Sequence, residues 1–339
     1  MRSIGRTILH LFLAGDTRIM LRNSENRPCV VLLSSTVTRY ESTGFAVFRK
    51  NLQFCRFGFT GTIYKEENPK RRQNELNLLF CIDRQALGQL VVCLQSIMKN
   101  GGETHYRVYL LHSDLDEEIR RNLGRDFPSM DFQFLTVPRR MFEGFPTTER
   151  YPKQIYYRLA APLLLPREMD RILYLDADTI VLNPLHSLYN MDFEGNLFIA
   201  CTHTREFLTK LNRVRLKSEK AVCYINSGVL LMNLPVLRLV LDLEQMSKFV
   251  RERKVPLLLP DQDILTALYG DRVKLVSAMR YNLSDRVLGL YNAEPGRRKR
   301  DLDWVRAHTV IIHYCGRNKP WRAGYSGQLG IFYREMFAQ

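Results

Sequence analysis

The chain has 339 residues, of which 45% are apolar and 25% are charged, and it carries a formal net charge of +15 at pH 7. This composition excludes a chain that is disordered throughout, and the length suffices for one large α/β domain or two smaller ones. No apolar run approaches the roughly 20 residues that a membrane-spanning helix needs.

The excess positive charge suits an anionic substrate such as a nucleotide diphosphate, and also contact with an anionic membrane surface. The densest basic run is Arg297-Arg298-Lys299-Arg300. A solvated basic face explains that run equally well. No nucleic-acid-binding motif accompanies the charge, so we expect no nucleic-acid partner.

The first part of the chain differs from the rest. Residues 1–75 show no sustained periodicity, although residues 29–33 and 45–48 are strand-like. An apolar patch at residues 8–14 resembles a weak signal-peptide core, but no clear cleavage site follows it. We therefore expect an N-terminal appendage of unknown role, or a chain start assigned too early, followed by a catalytic domain at residues 76–339.

The seven cysteines are odd in number and form no C-x-x-C pair. Most lie inside apolar runs, which favours reduced, buried thiols. The predicted location is cytoplasmic, and peripheral contact with the inner face of the cell membrane is compatible with the positive charge.

From residue 76 onwards, apolar periodicity predicts strands alternating with helices. The predicted order is a strand at Leu76–Ile82, a helix through Leu87–Ile97, a strand at Tyr106–Leu111, a helix capped by Ser113-Asp114, a strand at Phe132–Val137, a helix opened by Pro152, and a strand at Arg171–Leu175. Such short crossovers predict an α/β fold with a mainly parallel central sheet that is covered by helices on both faces. Ligands of these sheets bind beyond the carboxyl ends of the strands.

Two carboxylates end the last of these strands, in the run Tyr174-Leu-Asp176-Ala-Asp178. If the extended backbone continues, a period of two places both on one face. Two such charges stay ionised at low cost only when a cation joins them, and hard oxygen ligands favour magnesium or manganese. The triplet therefore predicts a metal site, although a solvated loop also fits it.

A second group of polar residues follows the apolar run Thr309–Ile312, in the order His313, Gly316 and Lys319, and then Pro-Trp. Gly316 and Lys319 suit a diphosphate, because glycine lets the backbone approach a ligand closely. His313, as an imidazole ligand, would shift a carboxylate site towards manganese. A lone histidine after a strand is, however, more often structural.

Two further positions have alternative interpretations. Asp83 follows the first predicted strand, where a base or ribose usually meets an α/β sheet, and it also fits a helix N-cap. Asp261-Gln262-Asp263 opens a predicted helix, and taken alone these acidic residues indicate ordinary capping.

At these residues the chain resembles glycosyltransferase family 8, which contains bacterial lipopolysaccharide glucosyl- and galactosyltransferases and glycogenin. The resemblance lies in motifs that occur in the family's order. They are Phe80-Cys-Ile-Asp83, Tyr157-Arg158-Leu159, Tyr174-Leu-Asp176-Ala-Asp178, Ile225-Asn226-Ser-Gly228-Val-Leu-Leu-Met-Asn233, Asp261-Gln262-Asp263 and His313-x-x-Gly316-x-x-Lys319-Pro320-Trp321.

The resemblance implies a GT-A type fold and the transfer of a hexose, with retention, from UDP-glucose or UDP-galactose to a glycan or glycolipid acceptor such as lipopolysaccharide. It implies Mn2+, or Mg2+ in its place, held by Asp176, Asp178, His313 and the donor's diphosphate. The other implied donor contacts are Asp83 at the uridine, Arg158 and Lys319 at the phosphates or sugar, Gly316 at the diphosphate, Asn226 and Asp261 at the sugar hydroxyls, and Gln262 beneath the anomeric carbon.

Three residues depart from the family's usual pattern. Arg84 and Gln85 stand where aspartate and asparagine are frequent, and His203 stands where many members carry an acidic residue that faces the sugar. These departures bear on the identity of the donor sugar more than on the type of reaction.

Two alternatives remain open from the residues. Asp176-Ala-Asp178-Thr179 also fits the signature of haloacid-dehalogenase-type phosphatases, in which the first aspartate is the nucleophile. In that class the strand before the signature normally opens the domain, whereas here about 100 residues of α/β pattern precede it. The other alternative is a sugar-nucleotide-binding protein without turnover.

Overall fold

The computed structural model of the protein describes residues 10–12, 17–22, 28–33, 64–65, 75–102, 104–149, 151–203, 206–252 and 257–338. The chain divides into two units, residues 1–73 and residues 74–339.

The first unit contains a four-stranded sheet. Its strands are β1 (His10–Phe12), β2 (Thr17–Arg22), β3 (Pro28–Leu33) and β4 (Tyr64–Lys65), in the sheet order β3-β2-β1-β4. β2 pairs antiparallel with β1 and β3, and β4 pairs parallel with β1. The strand predicted at residues 29–33 is confirmed, whereas that at 45–48 lies outside the described residues.

The second unit begins with the predicted alternation. Its first elements are β5 (Glu75–Cys81), α1 (Leu87–Asn100), β6 (His105–His112), α2 (Glu117–Asp126), β7 (Met130–Thr136), α3 (Tyr157–Leu164) and β8 (Arg171–Leu175). They are followed by β9 (Thr179–Val181), α4 (His186–Tyr189), β10 (Phe198–Thr202), α5 (Glu206–Leu216), β11 (Ile225–Asn233), α6 (Leu234–Val240), α7 (Leu243–Arg251), α8 (Pro260–Tyr269), β12 (Val273–Leu275), α9 (Ala278–Tyr281), α10 (Asp285–Asn292), α11 (Leu302–His308), β13 (Ile311–His313) and α12 (Gly330–Phe337).

Seven of these strands form one sheet in the order β12-β10-β11-β8-β5-β6-β7. β8, β5, β6 and β7 run parallel to one another, β11 runs antiparallel to both of its neighbours, and β10 and β12 are parallel. The predicted α/β class with a mainly parallel sheet is confirmed. The right-handed crossovers that such strands require place the helices on the faces of the sheet.

The core lies on both faces of the sheet, as the central strand β5 shows. Leu78 and Phe80 of β5 pack with α1 in one buried cluster, whereas Leu79 packs with α3 and α8 in another. Successive side chains of a strand point to opposite faces. A nearly continuous apolar strand is therefore what a sheet with two covered faces requires.

Two helix starts differ from the sequence expectation. α2 is capped by Asp116, whose side chain accepts from the Ile119 amide at 2.9 Å, and not by Ser113-Asp114. The helix therefore begins later than predicted. Its first turn contains Glu117 and Glu118, whose negative charges the helix dipole favours at this position. Pro152 precedes a short 3-10 turn, and α3 itself begins at Tyr157.

β9 and β13 form a small second sheet. β13 pairs antiparallel with β9, so that His313 lies opposite Thr179. This pairing brings a residue from near the end of the chain beside the turn that follows β8. The described cysteines 81, 93, 201, 223 and 315 are all free thiols. Within the described residues, no helix is both long enough and apolar enough to span a bilayer.

Candidate metal and donor site

The Asp176-Ala-Asp178 triplet forms the connection between β8 and β9. The extended backbone does not continue through the triplet, because residues 177–178 form a turn. The Thr179 hydroxyl donates to the Asp176 carbonyl at 2.8 Å and closes that turn. The carboxylates of Asp176 and Asp178 nevertheless lie together, with ligand atoms within 4.8 Å of each other.

His313 completes a cluster of three potential metal ligands. One ligand atom from each of Asp176, Asp178 and His313 lies within 4.8 Å of the others. His313 Nε2 is 3.2 Å from Asp178 Oδ1 and 3.6 Å from Asp176 Oδ2. Asp178 Oδ1 is buried and has no hydrogen-bond partner among the described residues. A buried carboxylate oxygen without a partner is costly unless a cation neutralises it, so these residues fit a divalent metal.

Lys319 lies on the other side of Asp178. Its ammonium contacts Asp178 Oδ2 and donates to the Tyr314 carbonyl at 2.7 Å. Burial opposes ionisation of Asp178, but the Lys319 ammonium outweighs it and holds the pKa of this carboxyl well below its usual range. Asp178 is therefore ionised at neutral pH, as a metal ligand must be.

Gly316 lies between His313 and Lys319 in the chain and has φ = +97°. A Cβ at this position would meet no heavy atom within 4 Å. The glycine is thus needed for its left-handed backbone, which lets the chain turn between the two functional side chains.

Arg158 connects the metal cluster to α8. Its guanidinium lies 2.9 Å from Asp176 Oδ1 and 3.3 Å from Asp261 Oδ2, and its side chain is only 6% exposed. It also stacks on the Tyr174 ring at 4.3 Å. The Tyr174 hydroxyl donates to the same Asp176 oxygen. Arg158 thus holds two carboxylates in one arrangement.

Asp261 and Gln262 lie in the first turn of α8, as the sequence predicts, but their side chains are buried against β11. Asp261 accepts from the Ser227 hydroxyl at 2.8 Å, and Gln262 Oε1 faces the Ser227 amide at 3.4 Å. Both residues are less than 10% exposed. Burial raises the pKa of Asp261, although Arg158 and Ser227 act in the opposite direction. Ordinary capping side chains are solvated, whereas these face β11 and the site.

Gly228 is a residue that sequence reasoning did not assign. A Cβ at Gly228 would lie 2.2 Å from His313 Cε1 and 2.6 Å from Asp176 Oδ2. The Gly228 carbonyl accepts from the Asp176 amide at 2.8 Å. Only glycine lets β11 approach the two ligands this closely. The available signal was a glycine in the interior of an apolar strand.

Asn282 is the second residue that was missed. It is fully buried, and its amide lies between Asn226 Oδ1 at 2.9 Å and His313 Nδ1 at 3.0 Å. The Asn226 oxygen also accepts from the Gly228 amide at 3.1 Å. Asn226 can therefore offer only its Nδ2 donors to a ligand. No local sequence pattern marks Asn282.

His203, which directly follows β10, contacts Asn282. Its Nε2 donates to the Asn282 carbonyl at 2.7 Å, and its Nδ1 is 3.7 Å from the Cys315 sulfur. Burial, together with the nearby His313, lowers the pKa of His203 to about 4. The imidazole is therefore neutral at physiological pH.

Asp83 stands apart from the metal cluster but at the same edge of the sheet. Because Leu79 of β5 is in register with Tyr174 of β8, Asp83 lies beyond the strand end, as Asp178 does. Its side chain accepts from the Ala86 amide at 3.0 Å and caps a short 3-10 turn. The N-cap interpretation is confirmed, and the predicted uridine contact stays a prediction.

Comparison with known proteins finds one matching family and several relatives. A family model described as glycosyl transferase family 8 matches residues 77–324. A protein of Haemophilus influenzae described as a putative glycosyltransferase is 27% identical over 251 residues, which are 73% of each chain. The lipopolysaccharide 1,2-glucosyltransferase of Escherichia coli is 22% identical over 281 residues, and the lipopolysaccharide 1,3-galactosyltransferase of Salmonella typhimurium is 22% identical over 264 residues. These alignments cover 77% and 74% of each chain respectively.

Among solved structures, the galactosyltransferase LgtC in complex with donor and acceptor sugar analogues is similar with a TM-score of 0.65. It is 25% identical, and the alignment covers 78% of this chain and 95% of LgtC. This likeness confirms the predicted GT-A type fold.

Proposed function

The chain belongs to glycosyltransferase family 8, and from that premise we propose that it transfers a hexose from UDP-glucose or UDP-galactose to a glycan acceptor, with retention of the anomeric configuration and with Mn2+ as cofactor. That the protein is a glycosyltransferase follows from the family. The donor, the metal and the stereochemistry are our proposal.

The observation that carries the proposal is the convergence of Asp176, Asp178 and His313 at the carboxyl edge of the sheet. Two carboxylates and one imidazole are a donor set that suits Mn2+, because imidazole is a borderline ligand that Mg2+ rarely accepts. When bound there, the cation would supply Lewis-acid stabilisation of negative charge on the donor's diphosphate.

The protein's own groups would assist departure of UDP. The Lys319 ammonium has three N–H donors, of which Asp178 and Tyr314 engage two. The third is available for a phosphate oxygen. A fixed positive group at the place where charge develops stabilises the transition state without reorganisation.

Retention requires either a covalent intermediate or attack from the face that the leaving group vacates. Gln262, which we predict to lie beneath the anomeric carbon, is a poor nucleophile. We therefore favour front-face attack: the bond from C1 to the phosphate oxygen breaks, the acceptor oxygen bonds to C1 on the same face, and the acceptor's proton passes to the phosphate oxygen. Trapping of a glycosyl adduct on Asp261, Gln262 or Asp263, detected by mass spectrometry, would contradict this route.

A bacterial cell-envelope glycan, such as a lipopolysaccharide core, is the acceptor class that the relatives from E. coli and S. typhimurium support. Contact with an anionic membrane through the run at 297–300 stays a prediction. Arg297 lies 3.1 Å from Glu294, and the Arg300 guanidinium stacks on Trp304 at 4.8 Å. Arg298 and Lys299, which are exposed, are the members of the run that could reach lipid head groups.

The phosphatase alternative is not supported. In the second unit β8 follows three other strands of the sheet and does not open the domain. In addition, Asp176 Oδ1, an oxygen of the would-be nucleophile, is engaged by Arg158 and the Tyr174 hydroxyl.

The test is UDP release from UDP-glucose and UDP-galactose, measured with Mn2+ and with EDTA, on the wild type and on Asp178→Ala. We expect release that depends on Mn2+, that prefers one sugar, and that falls at least about 100-fold in the variant. Metal-independent release, or wild-type activity in Asp178→Ala, would contradict the proposal.

UDP binding in both proteins, measured by calorimetry, provides the companion readout. Binding of UDP with Mn2+ but no release from any UDP-sugar, even with added acceptor glycans, would favour the sugar-nucleotide-binding alternative. Metal-dependent cleavage of a phosphomonoester without UDP release would favour the phosphatase.

A further inference from the structure

A chain of hydrogen bonds runs from the backbone of β11 to His313. The Gly228 amide donates to Asn226 Oδ1 at 3.1 Å, and Asn282 Nδ2 donates to the same oxygen at 2.9 Å. Asn282 Oδ1 then lies 3.0 Å from His313 Nδ1. Asn282 is 0% exposed, so water does not compete for these positions.

The Gly228 amide fixes the direction of every hydrogen bond in this series. A backbone N–H can only donate, so the Asn226 atom that faces Gly228 is the carbonyl oxygen. That oxygen can only accept, so the Asn282 atom that faces it is the amide nitrogen. The other Asn282 atom is therefore oxygen, and it requires a proton on Nδ1 of the imidazole.

We infer that Asn282 is a positioning residue that holds His313 in the tautomer protonated on Nδ1, and so keeps the Nε2 lone pair available for the cation. Nε2 is the nitrogen that faces Asp178 Oδ1 at 3.2 Å and Asp176 Oδ2 at 3.6 Å. A ligating imidazole nitrogen must be unprotonated, and its other nitrogen usually donates to a fixed acceptor. The inference rests on the proposed function, because it needs a metal at this site.

The backbone around Asn282 is fixed as firmly as its side chain. The His313 amide donates to the Leu283 carbonyl at 2.7 Å, and the Leu283 amide donates to the Ile311 carbonyl at 2.9 Å. These bonds pair the segment after α9 with β13. The Asn282 carbonyl accepts from His203 on its other side. The imidazole therefore meets an acceptor whose position does not depend on the metal.

The tautomer is tested directly on metal-free protein labelled with 15N at histidine. Long-range 1H–15N correlation spectra distinguish the two ring nitrogens, and the His313→Gln variant identifies the signal of His313. We expect Nδ1 to carry the proton in the wild type. In Asn282→Leu, which removes the acceptor at similar side-chain volume, we expect the proton to shift towards Nε2. A wild-type signal without a proton on Nδ1 would overturn the inference.

The consequence is tested by Mn2+ affinity in the presence of UDP, with free Mn2+ measured by electron paramagnetic resonance. We expect Asn282→Leu to weaken binding about 10- to 100-fold, as loss of such a partner typically does. Asn282→Asp keeps an acceptor for the Nδ1 proton but loses the donor to Asn226, so it should bind Mn2+ more tightly than Asn282→Leu does. Asn233→Leu is the matched control, because Asn233 is a buried asparagine at the far end of β11 whose Nδ2 donates to Asn196.

The two readouts separate the inference from the proposed function. Wild-type protein that binds no Mn2+ would overturn the proposed metal site, whatever the tautomer. Folded Asn282→Leu protein that binds Mn2+ as the wild type does, or Asn282→Asp protein that binds it no better than Asn282→Leu, would overturn the inference alone. Should Asn282→Leu not fold, the wild-type spectrum still decides it.

Discussion

Two arginine–aspartate pairs meet the first turn of α8, and they are built differently although their aspartates are only two residues apart. Asp263 is 0% exposed, and both of its oxygens accept from Arg215, at 2.6 and 2.8 Å. The Tyr224 hydroxyl and the Leu258 amide donate to it at 2.7 and 2.8 Å. Asp263 thus accepts four hydrogen bonds, which is about its full capacity.

Asp261, in contrast, shares its arginine with the metal cluster. Arg158 is divided between Asp261 and Asp176, and its contact with Asp261 is the longer one, at 3.3 Å. Burial raises the pKa of Asp261. The Arg215–Asp263 pair, whose acceptors are all occupied, stabilises the start of α8. The Arg158–Asp261 pair is shared with Asp176 and does not saturate the Asp261 carboxylate. One three-residue motif therefore contains a carboxylate that is saturated by its own partners and one that shares its arginine with Asp176.

We expect the largest effect on activity from a substitution that displaces Asp176 and His313 but changes no charge. In Gly228→Ala the new Cβ would displace His313 and Asp176, because the available distances are 2.2 and 2.6 Å. We expect kcat/KM for UDP release to fall at least about 100-fold, since displacing reacting groups by about 1 Å has that cost. Overpacking should also cost about 1–3 kcal/mol of unfolding free energy.

The control for that variant is Gly289→Ala in α10, where a Cβ would meet nothing within 4 Å. It should keep wild-type kcat/KM and raise Tm slightly, because alanine is the better helix former. Wild-type kinetics in Gly228→Ala would show that the close approach of β11 does not matter to the site.

The next effect comes from the saturated pair. Asp263→Asn removes the buried charge that pairs with the half-buried Arg215, so we expect a loss of about 3 kcal/mol in unfolding free energy. The measurement is denaturant unfolding of metal-free protein at pH 7. Mn2+ affinity of the folded variant should stay near that of the wild type. A loss under 1 kcal/mol would indicate that the pair is dispensable for stability.

The same substitution at the shared pair should behave differently. Because the pKa of Asp261 is raised above its unfolded value of 3.8, the folded state binds more protons in the window just above that value. Wild-type stability contributed by this group therefore falls as pH rises through that window. We expect Asp261→Asn to change unfolding free energy at pH 7 by less than about 1 kcal/mol, since its neutral side chain avoids the penalty of a buried charge.

Unfolding measured from pH 4 to pH 7 checks the sign. The stability of Asp261→Asn relative to the wild type should increase with pH. If the stability of Asp261→Asn relative to the wild type decreased with pH, the attraction of Arg158 for the Asp261 charge would exceed the cost of burying that charge. Transfer activity should fall in this variant even where stability does not.

The smallest effect separates the two interpretations of Asp83. Asp83→Ala should cost about 1 kcal/mol of unfolding free energy through loss of its cap. Asp116→Ala, which removes the comparable cap of α2, is the matched control. If Asp83 also contacts the uridine, KM for the UDP-sugar rises only in Asp83→Ala. Equal KM values in the two variants would show that Asp83 caps the turn but does not contact the uridine.

The alternation from β5 to β8 could be predicted from the sequence, because apolar periodicity reports which face of an element is buried. The ends of apolar strands also pointed to Asp176, Asp178 and His313, whose potential ligand atoms lie within 4.8 Å of one another in the structure. The start of α2 was misplaced because several acidic residues compete for one cap.

Tertiary structure alone decided which buried polar groups are saturated and which are shared. Asp261 and Asp263 look equivalent in sequence, and their roles differ because their partners, Arg158 and Arg215, come from different helices. Asn282 acts on a histidine 31 residues away. Periodicity determines the face to which a side chain points, but hydrogen-bond saturation depends on which distant atoms meet it there.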